Sequence, residues 1–391
     1  MNTESRLSEI VKKIPPSAIR KFFDLANEMK GEVISLSIGE PDFVTPWPIC
    51  EAGIFSLEQG KTHYSPNTGY IELREEISCY MRRKFNLDYD PKEEIVVTVG
   101  GSEAIDDAVR AFVNPGEEVI IPEPCFVAYK SCVLLAGGIP VIIDCKAENG
   151  FKLTAQDLQR AITPKTKLLI MGYPNNPTGA IMSKEELEPI ADIIRETQII
   201  VVSDELYAEL TYPPARHYSI AQFKGMQGRT VIIQGLSKAF AMTGWRIGFA
   251  LGPKEVIAAM NRIHQYVIMS SPTIAQYAAM EALANGDVFV AQMRDEYDRR
   301  RRVVLNAMEK CGLECFEPLG AFYAFPSIRS TGLSSTEFCE LFLMEEKVAI
   351  VPGCAFGDSG EGFVRISYAA SIDNITKAME KLVAFVSRRK K

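Results

Sequence analysis

From Glu94 to Gly252 the chain alternates short apolar runs with longer amphipathic stretches. The runs fall at 95–99, 118–121, 140–144, 167–171, 199–203, 230–234 and 246–251, and they are apolar almost without interruption. A strand with one wetted face would alternate in polarity, so a continuous run predicts burial on both faces. The stretches between them, at 102–113, 127–136, 154–162 and 184–196, carry the spacing of helices. The alternation predicts an α/β unit whose mainly parallel, seven-stranded sheet is covered by helices on both sides. Beyond Pro253, helices are predicted at 254–267, 273–284 and 287–311. The pattern then mixes strands near 321–325, 348–351 and 363–367 with helices at 335–346 and 373–388, a smaller α+β unit. Upstream, helices are predicted at 17–29 and 71–85 and a short strand at 33–37. The division expected is a large domain over 46–286 and a small one over 287–391.

A chain of 391 residues exceeds one ordinary core, which agrees with two domains. A net charge of -7 offers no basic surface to nucleic acid, and the arginine run 299–302 is predicted to lie along a helix. Nine cysteines without a Cys-x-x-Cys pair fit reduced thiols in a cytoplasm and speak against a disulfide frame or a metal site. No apolar run approaches the roughly 18 residues that span a membrane.

The chemically suggestive residues cluster where the predicted strands end, which is where ligands gather in such sheets. Lys238 follows the run 230–234 and is flanked by Leu236, Ala239, Phe240 and Trp245. An apolar setting lowers a lysine's pKa and makes the amine a usable nucleophile. Gly100-Gly101-Ser102 joins a strand to a helix start, where main-chain N–H groups suit a phosphate; Ser102 adds a hydroxyl there or caps the helix. Arg246 can supply the balancing charge. Phe126 reads first as core, with a ring stacked on a flat ligand as the functional alternative. Asn176, in Asn175-Asn176-Pro177-Thr178-Gly179, reads as a turn residue placed after an apolar strand. Asp204 ends another such run, where a carboxylate needs a partner. Arg365 lies within the run 363–367 and needs an anion, for which a carboxylate held by both arms of the guanidinium is apt.

The stretch Ser237-Lys238 to Gly244-Trp245-Arg246-Ile247-Gly248 fits Ser-Lys-x-x-x-x-x-Gly-x-Arg-x-Gly in full and resembles the active-site loop of class I, fold-type-I pyridoxal-phosphate aminotransferases. The likeness runs from Ser17 to about Ala370. Thr62-His63-Tyr64, Arg216-His217-Tyr218-Ser219 and Glu296-Tyr297-Asp298-Arg299-Arg300-Arg301 look most like the prokaryotic aromatic-amino-acid enzymes. The resemblance implies a transaminase holding pyridoxal 5'-phosphate through a Schiff base to Lys238, which also moves the proton at the substrate Cα. It implies Gly100, Gly101, Ser102 and Arg246 around the phosphate, Ser237 among the cofactor-binding residues and Phe126 on the ring. It places Asp204 on the ring nitrogen, with Asn176 and Tyr207 on the phenolic oxygen. The substrate carboxylate falls to Gly39, Asn176 and Arg365. Tyr64 would reach the cofactor phosphate of the neighbouring subunit, giving a homodimer with shared sites, and residues 1–45 would join the small domain. The side-chain pocket, near Ser17-Ala18-Ile19, Tyr70 and Phe322-Tyr323, is mostly apolar or aromatic, and some acid-specific relatives carry a lysine where this chain has Ser102. Aromatic or broad-range amino acids are therefore expected as donors, with a 2-oxo acid such as 2-oxoglutarate as acceptor. The alternatives are aspartate as the donor, or β-lyase or decarboxylase chemistry on the same scaffold, since cofactor-binding residues do not choose the reaction. A transcriptional regulator with an aminotransferase-like domain is disfavoured by the acidic charge and by the roughly forty residues before Gly39, too few for a winged helix and linker.

Overall fold

In the main sheet seven strands run in the order β2-β8-β7-β6-β5-β3-β4. They are β2 (Ile95–Thr98), β3 (Glu118–Glu123), β4 (Ile139–Asp144), β5 (Thr166–Gly172), β6 (Ile200–Asp204), β7 (Thr230–Gly235) and β8 (Gly248–Leu251); β1 (Ile34–Ser35) lies elsewhere. The computed structural model describes residues 3–14, 16 and 33–389; the predicted helix 17–29, with Ser17-Ala18-Ile19, lies outside the described residues. All neighbouring pairs are parallel except those made by β8, which runs antiparallel to both β2 and β7. One reversed strand has a consequence for the site: β8 begins at the edge where the other strands end, so the residue preceding it joins their carboxyl ends.

The continuous apolar runs are explained by helices on both faces. Val96, Val119, Ile121, Leu168, Ile170, Val202, Val231, Ile233 and Ala250 face one core, closed by α3 (Gly101–Phe112), α4 (Ala128–Leu135) and α7 (Lys254–Val267). Their neighbours on the other face, Ile120, Leu169, Met171 and Val201, pack on α5 (Ala155–Ala161) and α6 (Lys184–Arg195). Ile95, Val97, Ile232 and Phe249 pack on α2 (Ile71–Phe85) and α8 (Thr273–Asn285). Among the described residues, a four-residue helix at Glu9–Lys12 and α1 (Trp47–Glu58) escaped the sequence pattern. Pro48 reads as a breaker in its sequence, but it stands in the first turn, where the missing N–H has no intrahelical partner to lose.

A separate core joins the long α9 (Asp287–Cys311) to α10 (Ser335–Glu346), α11 (Ile372–Ser387) and short strands. Strands β9 (Tyr323–Ala324), β11 (Val351–Pro352) and β12 (Val364–Ser367) form an antiparallel sheet, while β1 pairs parallel with β10 (Val348–Ala349). The arginine run lies along α9 as expected, each member in an ion pair: Arg299 with Glu296, Arg300 with Asp42 and Glu296, Arg301 with Asp298 and Glu317, Arg302 with Asp298. Arg300 thereby fastens the Gly39–Asp42 turn to α9, its Nη1 donating to Asp42 Oδ1 at 2.7 Å with Phe43 and Tyr297 against the guanidinium. No helix among the described residues is long and apolar enough to cross a membrane.

Candidate active site

A cavity of about 330 Å³ opens beyond the carboxyl edge of the main sheet. Its walls come from the segments after β2, β3, β5, β6 and β7, from the residues just before β8, and from β9, β12 and the Gly39 turn. Of the residues singled out in the sequence, Gly39, Gly101, Ser102, Phe126, Asn176, Asp204, Tyr207, Ser237, Lys238, Arg246 and Arg365 line it. Tyr323 lines it too, whereas Gly100, Tyr64, Tyr70 and Phe322 do not. Gly100 stands directly behind the wall as the residue preceding α3, and Tyr64 projects from a surface loop, 82% exposed.

Lys238 reaches into the cavity from the loop after β7, and its Nζ donates to the Gly39 carbonyl at 2.6 Å. Protein packs closely around it while one side stays open to the cavity. Burial is the main influence on its pKa and lowers it to about 8; Glu40 pulls the other way, and Arg365 and Arg246 reinforce the drop. A pH dependence follows. The neutral amine is the form that attacks a carbonyl, so covalent capture of an aromatic aldehyde by Lys238 should accelerate about fivefold between pH 7 and 8 and level off above about 9. Stopped-flow absorbance checks this; a rate still climbing through about pH 10 would show a lysine at its ordinary pKa.

Asp204 ends β6 and turns into the cavity, while the adjoining Glu205 turns away. The pattern of two acids in sequence is resolved by their partners. Glu205 is fully buried and satisfied by Ser203 (2.8 Å), Ser219 (2.6 Å) and His217 (2.9 Å), so His217 and Ser219 serve a structural carboxylate. Asp204 takes the Tyr129 hydroxyl on Oδ2 at 2.6 Å and the Leu206 N–H on Oδ1 at 3.2 Å. Burial raises its pKa, against the pull of those two hydrogen bonds.

Among the described residues Arg365 is the largest fully buried side chain, 2% exposed. Its Nη1 donates to Asn176 Oδ1 at 2.9 Å, its Nη2 donates to the Ser37 carbonyl, and Nε has no partner. Tyr323 and Phe356 lie against the guanidinium at 4.6 and 4.7 Å. A buried cation bonded only to neutral acceptors, with one donor idle, is short of an anion. Asn175, one residue before Asn176, folds back to bind Thr178 and Gly172 and so holds the turn that presents Asn176. Gly39 has a steric reason to be glycine: a Cβ there would lie 2.0 Å from the Tyr323 hydroxyl. That hydroxyl meets the Tyr207 hydroxyl at 2.8 Å, and burial raises the Tyr207 pKa, keeping the phenol protonated as a donor.

At the other end of the cavity α3 begins at Gly101, capped only by Gly100, with no side chain on its leading N–H groups. Ser102 lies one residue inside the helix, exposed, so its reading as the cap is corrected; the strand turns in through Gly100 at φ 81°, which leaves no room for a capping side chain. Arg246 stands just before β8, exposed, held by the carbonyls of Thr243 (3.0 Å) and Val99 (3.4 Å). Gly248 allows this approach, since a Cβ would come within 2.8 Å of the Gly100 carbonyl carbon. Ser237 is buried beside Lys238, and Phe126 packs edge-on to Tyr129 at 5.8 Å. The sequence reading missed Tyr129, Glu40 and Thr243. Tyr129 is an aromatic at a helix start, and only its distance to Asp204 distinguishes it from core.

A family model described as aminotransferase class I and II matches residues 31–382. A putative aminotransferase, YugH, of Bacillus subtilis is 54% identical over 98% of this chain and 99% of its own. An aspartate aminotransferase of Pyrococcus abyssi is 47% identical over the same shares, 98% and 99%. The crystal structure of an aromatic aminotransferase from Pyrococcus horikoshii superposes with a TM-score of 0.90 at 46% identity, covering 94% of this chain and 99% of that one.

Proposed function

The chain belongs to the class I and II aminotransferases and transfers amino groups between amino acids and 2-oxo acids, and on that premise we propose that its cavity holds pyridoxal 5'-phosphate. Three charged groups carry the reading: the Lys238 amine, the Asp204 carboxylate and the Arg365 guanidinium converge on one cavity from separate strands. The donor set fits the cofactor piece by piece. An uncapped helix N-terminus with Ser102, Ser237 and Arg246 suits a phosphate dianion, and Gly100 lets the chain turn there. Phe126 offers a ring face to a flat heterocycle. Bound there, the cofactor supplies an aldehyde that condenses with amines and an electron-poor ring that accepts the electron pair left at Cα.

The remaining roles fall to this chain's own groups. Asp204, buried and steadied by Tyr129, holds a proton on the ring nitrogen. Tyr207 and Asn176 donate to the phenolic oxygen. Arg365, with Asn176 and the Gly39 main chain, fixes the substrate carboxylate and so orients Cα. Lys238 Nζ, once displaced by the substrate amine, takes the Cα proton as base and returns one as acid. The division proposed is a large domain over 46–286 and a small one over 287–391 that residues 1–45 join, a reading supported for the segment around Ile34–Ser35 by the parallel β1–β10 pairing. A homodimer with shared sites is supported by exposed apolar groups on joined segments: Tyr64, with Tyr266 (85%) and Val267 (65%), whose neighbours are linked by Thr273 Oγ1 donating to the His63 carbonyl. Nine cysteines without a Cys-x-x-Cys pair support a reducing cytoplasm.

For the donor, the lining favours an aromatic or broad-range amino acid. The cations lining the cavity among the described residues are Lys238, Arg246 and Arg365, each already assigned, and Glu40 adds a negative charge. A second substrate carboxylate lacks a partner there, whereas a ring gains roughly 1.5–3 kcal/mol on burial. Values of kcat/KM for tyrosine, phenylalanine, aspartate, alanine and leucine with 2-oxoglutarate test this. Tyrosine and phenylalanine should exceed aspartate at least about tenfold, or ~1.4 kcal/mol. Aspartate in the lead by that margin would favour the second reading, which the Pyrococcus abyssi relative supports.

A further inference from the structure

Beneath the α3 N-terminus lies a trio that the chemistry above does not use: half-buried Glu103 with buried Asp107 and His264, one polar atom from each all within 4.8 Å of one another. Glu103 and Asp107 stand one turn apart on α3, and His264 comes from α7. His264 is wholly buried and Asp107 is 1% exposed. Glu103 is divided between two tasks. Its Oε2 accepts from the Val99 N–H, pinning the turn that leads into Gly100 and Gly101, and its Oε1 meets His264 Nδ1 at 2.7 Å. Those two atoms are spent on each other, which marks an ion pair rather than a ligand set for a metal. Burial disfavours the imidazolium, but the Glu103 hydrogen bond and charge, then Asp107 and the Asn67 main chain, outweigh it and raise the His264 pKa.

The other side of His264 faces the loop that carries Tyr64. Its ring lies beside the Asn67 main chain, while Nε2 closes no hydrogen bond. The same loop is pinned to the α7–α8 region by Asn67 Nδ2 donating to the Met269 carbonyl (2.6 Å), by Thr273 Oγ1 to the His63 carbonyl (2.7 Å) and by Gln276 Nε2 to Ser65 Oγ (2.7 Å). It also joins β2 directly, Val97 N–H donating to the Thr68 carbonyl at 3.1 Å, two residues before Val99. One imidazole thus stands between the turn that would cradle this subunit's phosphate and the loop whose tyrosine projects away from it. We infer that Glu103 and His264 are a positioning pair that ties each subunit's phosphate cup to the Tyr64 loop it lends to its partner. The inference rests on the shared-site reading of Tyr64. Its consequence is an effect in trans: disturbing His264 in one subunit loosens cofactor in the other.

Hybrid dimers test this, with pyridoxal phosphate as the probe. One subunit carries Lys238→Ala and His264→Gln; the other is the parent. The single Lys238 then lies in a cup whose own Glu103 and His264 are intact, and only its borrowed Tyr64 comes from the altered subunit. After dilution, cofactor remaining on Lys238 is fixed by borohydride at intervals and counted by intact mass. Release should be at least about threefold faster than from a hybrid carrying Lys238→Ala alone. A hybrid with Lys238→Ala and Tyr64→Phe should also release faster, and Glu103→Gln replaces His264→Gln if that subunit fails to assemble. Parental release from the His264→Gln hybrid, with faster release from the Tyr64→Phe hybrid, would overturn the tie alone. Parental release from both would overturn the shared site with it.

Discussion

Replacing Lys238 by alanine should lower kcat by at least about four orders of magnitude and leave the fold in place. The side chain makes one hydrogen bond, to the Gly39 carbonyl, so its removal costs the protein little structure. What is lost is chemical. Lys238 is the lysine lining the cavity among the described residues, and burial has brought its pKa to about 8, where a proton can be both taken and returned near neutrality. Water in its place is a far weaker base at Cα. Circular dichroism checks the fold, and steady-state rates check the chemistry; a variant within about tenfold of the parent would remove Lys238 from the mechanism.

Asp204→Asn should reduce kcat by at least about a hundredfold while the protein still takes up the cofactor on Lys238. The amide is nearly isosteric and keeps an oxygen for the Tyr129 hydroxyl, so packing around β6 should survive. It carries no charge, and a ring nitrogen facing it is no longer held protonated, which weakens the electron sink for every substrate alike. A loss in kcat with KM little changed is therefore the signature. Activity within about threefold of the parent would make Asp204 a structural residue only.

The sheet was legible because burial on both faces writes a strand as a continuous apolar run, and seven such runs stand between helical spacings. Helix α1 was not, because Pro48 looks the same in a first turn as in a break. The cavity residues could be found one strand end at a time, since a lysine, a carboxylate and an arginine in apolar surroundings each need an explanation. Their supports could not. Tyr129 and Asp204 are far apart in sequence, and so are Glu103 and His264, whose pairing depends on where α7 crosses α3. The adjacent acids Asp204 and Glu205 show the limit: the alternation of a strand end says one turns inward, and only His217 and Ser219 show which one is already satisfied.

In the function proposed above, one lysine, Lys238, bonds the cofactor. The protein loaded with pyridoxal phosphate, reduced with borohydride and digested, should yield a single pyridoxyl-bearing peptide, with the label on Lys238 at close to one per chain. Label on any other lysine, or none retained after reduction, would contradict the account.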